Sequence, residues 1–488
     1  MKERLLEYLK SDRHLWWSVT VIPGIYCILY LYTNNFTLVN SWYQLMWCVL
    51  VFIALPVAEI LVLDFIFKKW LPRWRPHLYW CYLLINFALI LSFIVFGYWR
   101  YKGLALVIVA SIISSFFIAK HYKKLVLLFA LMCVVAAYQF VHFYVERVVY
   151  REDWVDTTVF ENIEFKKHPN IYLIQPDGFV NKQAAQSSFY DLDLSAFYSR
   201  MEALGFAFNH EYRSNYPSTL TSNSALFTGQ QHLFENGNME SELYGARDLI
   251  VGNNPVISTL KRNGYRTNLI LQHSYLMLNF PEVAYDYVNV SESDLSVPLP
   301  DYWLDADYMQ DFKDRMNAVD DRPQFFFLEI LEPGHIPNNG IAADSEKYTA
   351  DYKSQLLSVT EKLIHLVNFI EEKDPDGIII IAADHGGYVG FENSLEPYHT
   401  VIEDPDLKRS IYGSLFAIKA KNDFYRYGPH IKTSITVFPV LFQYLAQQPP
   451  IDPELDNSSY MFIKNGSERG VYQYFDPNGL PITERLDP

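Results

Sequence analysis

With 488 residues the chain has room for more than one domain, and 50% hydrophobic with 16% aromatic residues is rich for a water-soluble protein. Up to Tyr150 there are 14 Lys and Arg against 6 Asp and Glu, which leaves 26 against 49, a net −23, for the remainder. So acidic a remainder argues against nucleic acid as a partner, and the apolar excess at one end argues against a purely soluble chain.

Five apolar segments precede residue 146: Trp16 to Tyr32, Trp42 to Phe67, Leu78 to Trp99, Leu104 to Ala119 and Leu125 to Val145. Each is near or above the roughly 17 to 25 residues that span a bilayer, the fourth being the shortest. Lys2, Arg4, Lys10 and Arg13 precede the first segment as they would a signal peptide, but no small-residue cleavage site follows, so it reads as an anchor. Lys68, Lys69, Arg73 and Arg75 mark the second loop as cytoplasmic, and Lys120, Lys123 and Lys124 mark the fourth; Arg100 and Lys102 in the third loop are outnumbered. The expectation is a five-helix transmembrane domain over 1–145, N-terminus inside, with everything after about Glu146 outside the cytoplasm. Within the second span, Asp64 lies near the basic loop and reads as interfacial, while Glu59 is deeper and suits packing or lipid contact.

Residues 146–168 mix charge with Val, Trp and Phe and read as a juxtamembrane connector. From 169 to 488 the pattern alternates between strands and helices, as in a doubly wound α/β domain. Expected strands are Ile171 to Gln175, Thr267 to Gln272, Phe325 to Leu331, Gly377 to Ala383 and Ile411 to Lys419. Expected helices are Leu194 to Leu204, Pro255 to Asn263, Ser345 to Lys373 and Ser434 to Gln447, and Asp476-Pro-Asn-Gly predicts a hairpin near the end.

Two of these strands end in an acid. Asp177 follows Asn170-Ile-Tyr-Leu-Ile-Gln-Pro, and Asp384-His385-Gly386 follows Gly377-Ile-Ile-Ile-Ile-Ala-Ala. Buried parallel strands deliver side chains in this way to the carboxyl edge of an open sheet. Between them, Asn215 to Gly229 holds six Ser or Thr in fifteen residues, opens on Tyr216-Pro217, and passes at Ser224-Ala-Leu-Phe into what reads as a buried helix. Hydroxyls before an apolar run cap helices, and the same position receives anions. A hydroxyl, two carboxylates and an imidazole suit a divalent metal that lowers the pKa of the hydroxyl. His335, in Glu332-Pro-Gly-His-Ile-Pro, follows the strand Phe325 to Leu331 and so shares that edge. Two carboxylates, one His and a Thr oxygen suit Zn²⁺ or Mn²⁺ better than Ca²⁺, which wants more oxygens.

These motifs resemble the alkaline phosphatase superfamily in its sulfatase-like branch. The branch carries Cys/Ser-x-Pro-Ser-Arg followed by Leu-x-Thr-Gly, and Thr228-Gly229 registers the first position of that motif on Thr219. Thr219 cannot give the formylglycine of sulfatases, and Asn223 stands at the place of the motif's Arg. A threonine there is similar to membrane phosphoethanolamine transferases and lipoteichoic acid synthases, in which Thr takes a phospho group from a phospholipid and hands it on. Gly390-Phe-Glu-Asn and Pro397-Tyr-His399 resemble the Gly-x-Glu-Asn and Tyr-x-His of the transferases, without the residue that separates Tyr from His. Cys27, Cys48, Cys81 and Cys133 all lie in spans, so the outer domain has no disulfide, unlike many of those transferases.

The resemblance implies a metal held by Asp177, Thr219, Asp384 and His385, with Thr219 as nucleophile, and allows Zn²⁺ as in the transferases or Mn²⁺ or Mg²⁺ as in the polymer synthases. It puts His335 and His399 on the transferred group, and Asn223 is positioned to donate to it. Glu332 is a further thought as a ligand of a second metal. The implied function is a metal-dependent phosphotransferase of a bacterial inner (plasma) membrane, moving a group such as phosphoethanolamine or phosphoglycerol from a phospholipid donor to an envelope glycan or glycolipid. A phosphatase, phosphodiesterase or sulfatase-like hydrolase is the alternative with the same site, and a non-catalytic membrane scaffold is the alternative without one.

Overall fold

The computed structural model describes residues 9, 11, 14–36, 39–96, 99–149, 154–232, 243, 245–291, 295, 306–318, 320–338, 341–452, 454–464 and 466–486. Of the basic residues that set the expected orientation, Lys2, Arg4, Lys10 and Arg13 lie outside the described residues. The chain divides into two compact units, one of Met1–Tyr150 with Leu278–Phe280 and Leu295–Trp303, the other of Arg151–Met277, Pro281–Asp294 and Leu304–Pro488.

Among the described residues, four helical stretches of the first unit are long and apolar enough to cross a membrane: Trp16–Asn35, Trp42–Trp70, Pro72–Val95 and Tyr101–Tyr144. The expected count of five is therefore not confirmed. The difference arises at Ala119–His121, which continues as a single 3-10 turn between the helices Tyr101–Ile118 and Tyr122–Tyr144, so the last two expected spans form one 44-residue helical run. Only 17% of the apolar window of the second and fourth stretches is buried inside the protein. Helices that are apolar all round need an apolar solvent for the rest of that surface. Their shared core gathers Val19, Ile60, Tyr79, Leu83 and Tyr122. Asp64 is paired in a fork with Arg75 at 2.7 and 2.9 Å, and Glu59, exposed on the helical surface, accepts from the Tyr82 hydroxyl at 3.0 Å.

The second unit is built on a seven-stranded sheet of β1 (Ile171–Pro176), β2 (Ala207–Phe208), β3 (Arg266–Leu271), β4 (Tyr287–Val288), β5 (Gln324–Ile330), β6 (Ile378–Ala382) and β7 (Phe416–Lys419), in the order β2-β7-β6-β1-β5-β3-β4. The five strands from β6 to β4 are parallel, and β7 and β2 add an antiparallel edge. Every residue of β1 and β6 is buried, because helices cover both faces, and this is why these strands read as unbroken apolar runs. On one face Tyr172, Ile174, Phe326, Leu328, Ile379 and Ile381 pack with Leu356, Val359 and Leu363 of the helix Ser345–Lys373. On the other, Phe327 meets Phe227 at 5.0 Å between ring centroids and Phe325 meets Phe438 at 6.1 Å. A second, antiparallel sheet consists of β8 (Ser459–Ile463), β9 (Gly470–Phe475) and β10 (Pro481–Leu486), and the expected hairpin is its β9–β10 connection.

Two expected boundaries move. The apolar run from Ile411 to Lys419 is not one strand: Ile411 and Tyr412 end the helix Pro405–Tyr412, and only Phe416–Lys419 joins the sheet. The buried helix expected from Ser224 starts five residues earlier, at Thr219, and runs to Thr228, where Gly229 closes it in the left-handed conformation at φ 66°. Its hydroxyls mislead as breakers because Ser224 and Thr228 donate back to the carbonyls of Leu220 and Ser224, both at 2.8 Å, and so sit inside a helix without competing for its backbone.

Candidate metal and nucleophile site

Strand register brings the two acids together. β1 and β6 pair in parallel as Ile174↔Ile381, so three residues further along each strand Asp177 and Asp384 come out side by side. The turn after β1 is built for this approach: Gly178 has φ 67°, and a Cβ on it would lie 2.0 Å from the carbonyl oxygen of Gly334. With no side chain there, the Gly178 N–H reaches Asp384 Oδ1 at 3.1 Å, and the His385 N–H reaches the same oxygen at 2.9 Å.

Thr219 arrives from the helix on the other side. Ser218 is its N-cap, pairing with Thr221 through hydroxyls 2.8 Å apart, so Thr219 is the first helical residue and its hydroxyl is left for other work. Thr219 Oγ1 lies 3.3 Å from Asp177 Oδ1 and 3.3 Å from His385 Nε2. His385 Nε2 in turn lies 3.2 Å from Asp177 Oδ1 and 3.5 Å from Asp384 Oδ2. Four of the expected residues thus converge in a buried cluster, each 8% exposed or less.

The donor set fits a divalent cation. Ligand atoms of Asp177, Asp384 and His385 all lie within 4.8 Å of one another, and among the described residues they form a metal-capable group that His335, His399 and Glu332 do not join. Asp384 Oδ2 is buried with no hydrogen-bond partner among the described residues. An orphaned carboxylate oxygen costs about 1–3 kcal/mol or more unless something occupies its lone pairs. His385 donates Nδ1–H to the Gly386 carbonyl at 2.8 Å, the arrangement that turns Nε2 towards a metal. Burial opposes charge on all three groups, yet Asp384 and Asp177 together hold the His385 imidazole above its ordinary range, and the contact with His385 holds Asp177 below the usual carboxylate range. Burial, with the charge of Asp177 beside it, raises Asp384 to about 7, so His385 and Asp384 hold protons that a cation would displace.

The other expected residues divide. His335 is brought close: its ring lies 5.8 Å from that of His385, its Nδ1 bonds to the Ile336 carbonyl at 2.6 Å, and the residue is exposed. His399 is exposed and follows Tyr398, whose hydroxyl is 3.5 Å from that of Tyr388. Asn223 corrects the sequence reading. Its side-chain amide donates to Gln175 Oε1 and accepts from Gln175 Nε2, both at 2.7 Å, and it is fully buried, so both ends are spent inside the protein and none is left for a phosphoryl oxygen. Glu332 is likewise engaged, accepting from Gln272 Nε2 at 2.8 Å and pairing with Lys362, so a second metal has no support from it.

Two residues of the site escape sequence reasoning. Tyr388 packs edge-on against both imidazoles at 5.7 Å, donates its hydroxyl to the Pro217 carbonyl, and holds φ 61°, a conformation costing a bulky residue on the order of 1–3 kcal/mol. Glu329 lies beside Gln175 in the β1–β5 register, 1% exposed, with neither carboxyl oxygen hydrogen-bonded; burial and the negative charge of Asp177 and Asp384 push it well above the carboxylate range. No motif announces either.

Residues 169–409 match the family model described as Sulfatase. No curated protein is matched by the chain. Solved structures similar to it include the C-terminal periplasmic domain of EcEptC from Escherichia coli, 12% identical over 64% of this chain and 95% of that one, TM-score 0.42. The lipooligosaccharide phosphoethanolamine transferase EptA from Neisseria meningitidis is 14% identical over 91% of this chain and 92% of that one, TM-score 0.38. The phosphonate monoester hydrolase SpPMH from Silicibacter pomeroyi is 15% identical over 62% and 81%, TM-score 0.42. By the family match alone, residues 169–409 form a Sulfatase domain. The chain is an enzyme that acts on phosphorus or sulfur groups, and it carries membrane-capable helices ahead of that domain.

Proposed function

We propose that the protein is a membrane phosphotransferase in which Thr219 is the nucleophile, with residues 1–145 as its membrane domain, 146–168 as a connector and 169–488 as an extracytoplasmic catalytic domain. The observation that carries this reading is the Thr219 hydroxyl, placed at the start of a helix and 3.3 Å from both Asp177 and His385. A threonine in that place supports phosphorus chemistry over sulfate, since it cannot become formylglycine. Zn²⁺ or Mn²⁺ bound by Asp177, Asp384, His385 and Thr219 would lower the pKa of the hydroxyl and offset the charge of the incoming phosphodiester.

The residues then divide the work. Thr219 Oγ attacks phosphorus while the bond to the departing diacylglycerol oxygen breaks, and the proton lost by Thr219 is balanced by one gained by that oxygen from His335 or His399. The helix N-terminus at Thr219 presents N–H groups to the phosphoryl oxygens. In the second half an acceptor hydroxyl attacks the same phosphorus, Thr219 leaves and recovers a proton, and the group passes to an envelope glycan or glycolipid. Four membrane-capable helical stretches favour a lipid donor, since a soluble ester needs no such anchor.

The test is intact mass spectrometry of the detergent-purified chain after incubation with phosphatidylethanolamine or phosphatidylglycerol, beside a Thr219→Ala variant. A mass gain confined to the wild type is expected, and its size names the group. Diacylglycerol release without any wild-type adduct, even on rapid quenching, would replace this reading by direct hydrolysis.

A further inference from the structure

A cavity of about 900 Å³ lies at the antiparallel edge of the main sheet, lined by residues of β2 and β7 and by the β9–β10 turn. None of Asp177, Thr219, Asp384 or His385 lines it, so it is a separate place on the same unit. Its charge is opposite to that of its surroundings. Arg213, Arg409, Lys421 and Lys432 line it against one carboxylate, Glu211, in a stretch of chain whose net charge is −23. Three of the four cations are tied to acids that do not line it: Arg409 to Asp406 at 2.8 Å, Lys432 to Asp452 at 2.5 Å and Lys421 to Asp376 at 3.5 Å. Such part-exposed pairs add little net stability, so they hold these cations only weakly against a competing anion.

Arg213 is different. It is 6% exposed, its Nη2 donates to the carbonyls of Asn457 at 2.5 Å and Asp476 at 2.9 Å, and its Nε is buried with no partner among the described residues. No carboxylate lies within ion-pair distance of it among the described residues, although Asp476, Asp456 and Glu211 act on it from further away. Burial lowers the guanidinium to about 10, which leaves it charged at neutral pH. A buried guanidinium that keeps its charge and has an unspent N–H on Nε suits a single oxygen of a phosphate or carboxylate. Phe475 stacks on the guanidinium at 5.7 Å, and Tyr425, 76% exposed, offers a flat ring at the rim. Aromatic walls with a few placed charges in a volume of this size suit a short saccharide rather than a bare ion.

We propose that this cavity binds an anionic saccharide. On the transferase reading of the metal site, from which this step follows, it grips the acceptor glycan away from the hydroxyl that reacts. The turn after β1 links the two places, with Asp177 at its start and Asn181, which lines the cavity, four residues on.

The test is calorimetric titration of the full-length chain in detergent with a phosphorylated pentamannose, beside unphosphorylated pentamannose and inorganic phosphate. The phosphorylated sugar is expected to bind more tightly than either fragment. Lys432→Glu, Tyr425→Ala and Arg213→Lys should each weaken it about tenfold or more, as for loss of one charge-assisted or stacking contact. The first two residues are exposed enough for their variants to fold even if Arg213→Lys does not. Thr219→Ala should bind as the wild type does. Equal binding by the Lys432 and Tyr425 variants, or equal binding of plain pentamannose or of phosphate alone, overturns the proposal. Saccharide binding in a protein that never forms the phospho-threonine keeps the site and removes the transfer reading.

Discussion

Two neighbouring hydroxyls make a sharp test, because the structure gives them opposite work. Thr219→Ala removes an oxygen whose two contacts are both 3.3 Å, at the long end of hydrogen bonding, so each contributes no more than about 0.5 kcal/mol. The helix keeps its cap, since that is Ser218, and gains a residue of better helix propensity. The stability change should stay within about 1 kcal/mol, a shift of a few degrees at most. Turnover should fall by about 10⁴-fold or more, as when a nucleophile is deleted. Ser218→Ala does the reverse: it breaks the pairing with Thr221, costs about 1 kcal/mol of stability, and leaves turnover within threefold. The assay is diacylglycerol release from phosphatidylethanolamine in mixed micelles, with thermal unfolding measured on the same preparations. If Thr219→Ala keeps turnover within tenfold of the wild type, or if Ser218→Ala falls as far as Thr219→Ala, the reasoning that assigns the nucleophile fails.

Asn223→Ala should act on stability, costing about 1–3 kcal/mol by orphaning the Gln175 amide, while the double change to Gln175→Met and Asn223→Leu recovers most of it in chemical denaturation. A rise in KM without loss of stability would restore Asn223 to the substrate. Cation binding should release a proton, so its affinity, read by titration calorimetry in buffers of differing ionisation enthalpy, should climb about tenfold per pH unit through the neutral range as His385 gives up its proton; an affinity flat with pH would mean that His385 is not a ligand. Gly178→Ala should abolish that binding, because a Cβ 2.0 Å from the Gly334 carbonyl oxygen forces apart the turn that carries Asp177; metal content by elemental analysis decides it. His232, stacked on Tyr216 at 3.7 Å and bonded through Nε2 to the Thr221 carbonyl, is lowered by burial to about 4. The folded state therefore resists a proton that the unfolded chain accepts near pH 6.5, so stability is lost as pH falls from 6.5 through 4, to a limit of about 3 kcal/mol. That acid loss should shrink in His232→Phe, and an unchanged pH profile would count against it.

What the sequence made legible follows from how each residue acts. Asp177 and Asp384 could be found because burial on both faces turns β1 and β6 into unbroken apolar runs, and an acid that ends such a run stands out. His385 comes with Asp384, and Thr219 was reached only through the register of Thr228-Gly229. The hydroxyl-rich stretch by itself reads as turn and cap, and its helix start was misplaced by five residues because Ser and Thr that bond back to their own helix look like breakers. Asn223 and Glu332 were misassigned for a related reason: a polar side chain near an edge looks available until its partner is known, and Gln175 and Lys362 are 48 and 30 residues away. Partners that distant leave no periodicity to read. Tyr388 and Arg213 are invisible on the same ground, since one acts by a ring packed edge-on against two imidazoles and the other by a donor left over after its structural bonds are made. The readable part of the site is thus the part that strand ends deliver. Side chains that support those groups, such as Tyr388, are set by tertiary contacts alone, and the same contacts leave Arg213 Nε buried and unpaired among the described residues.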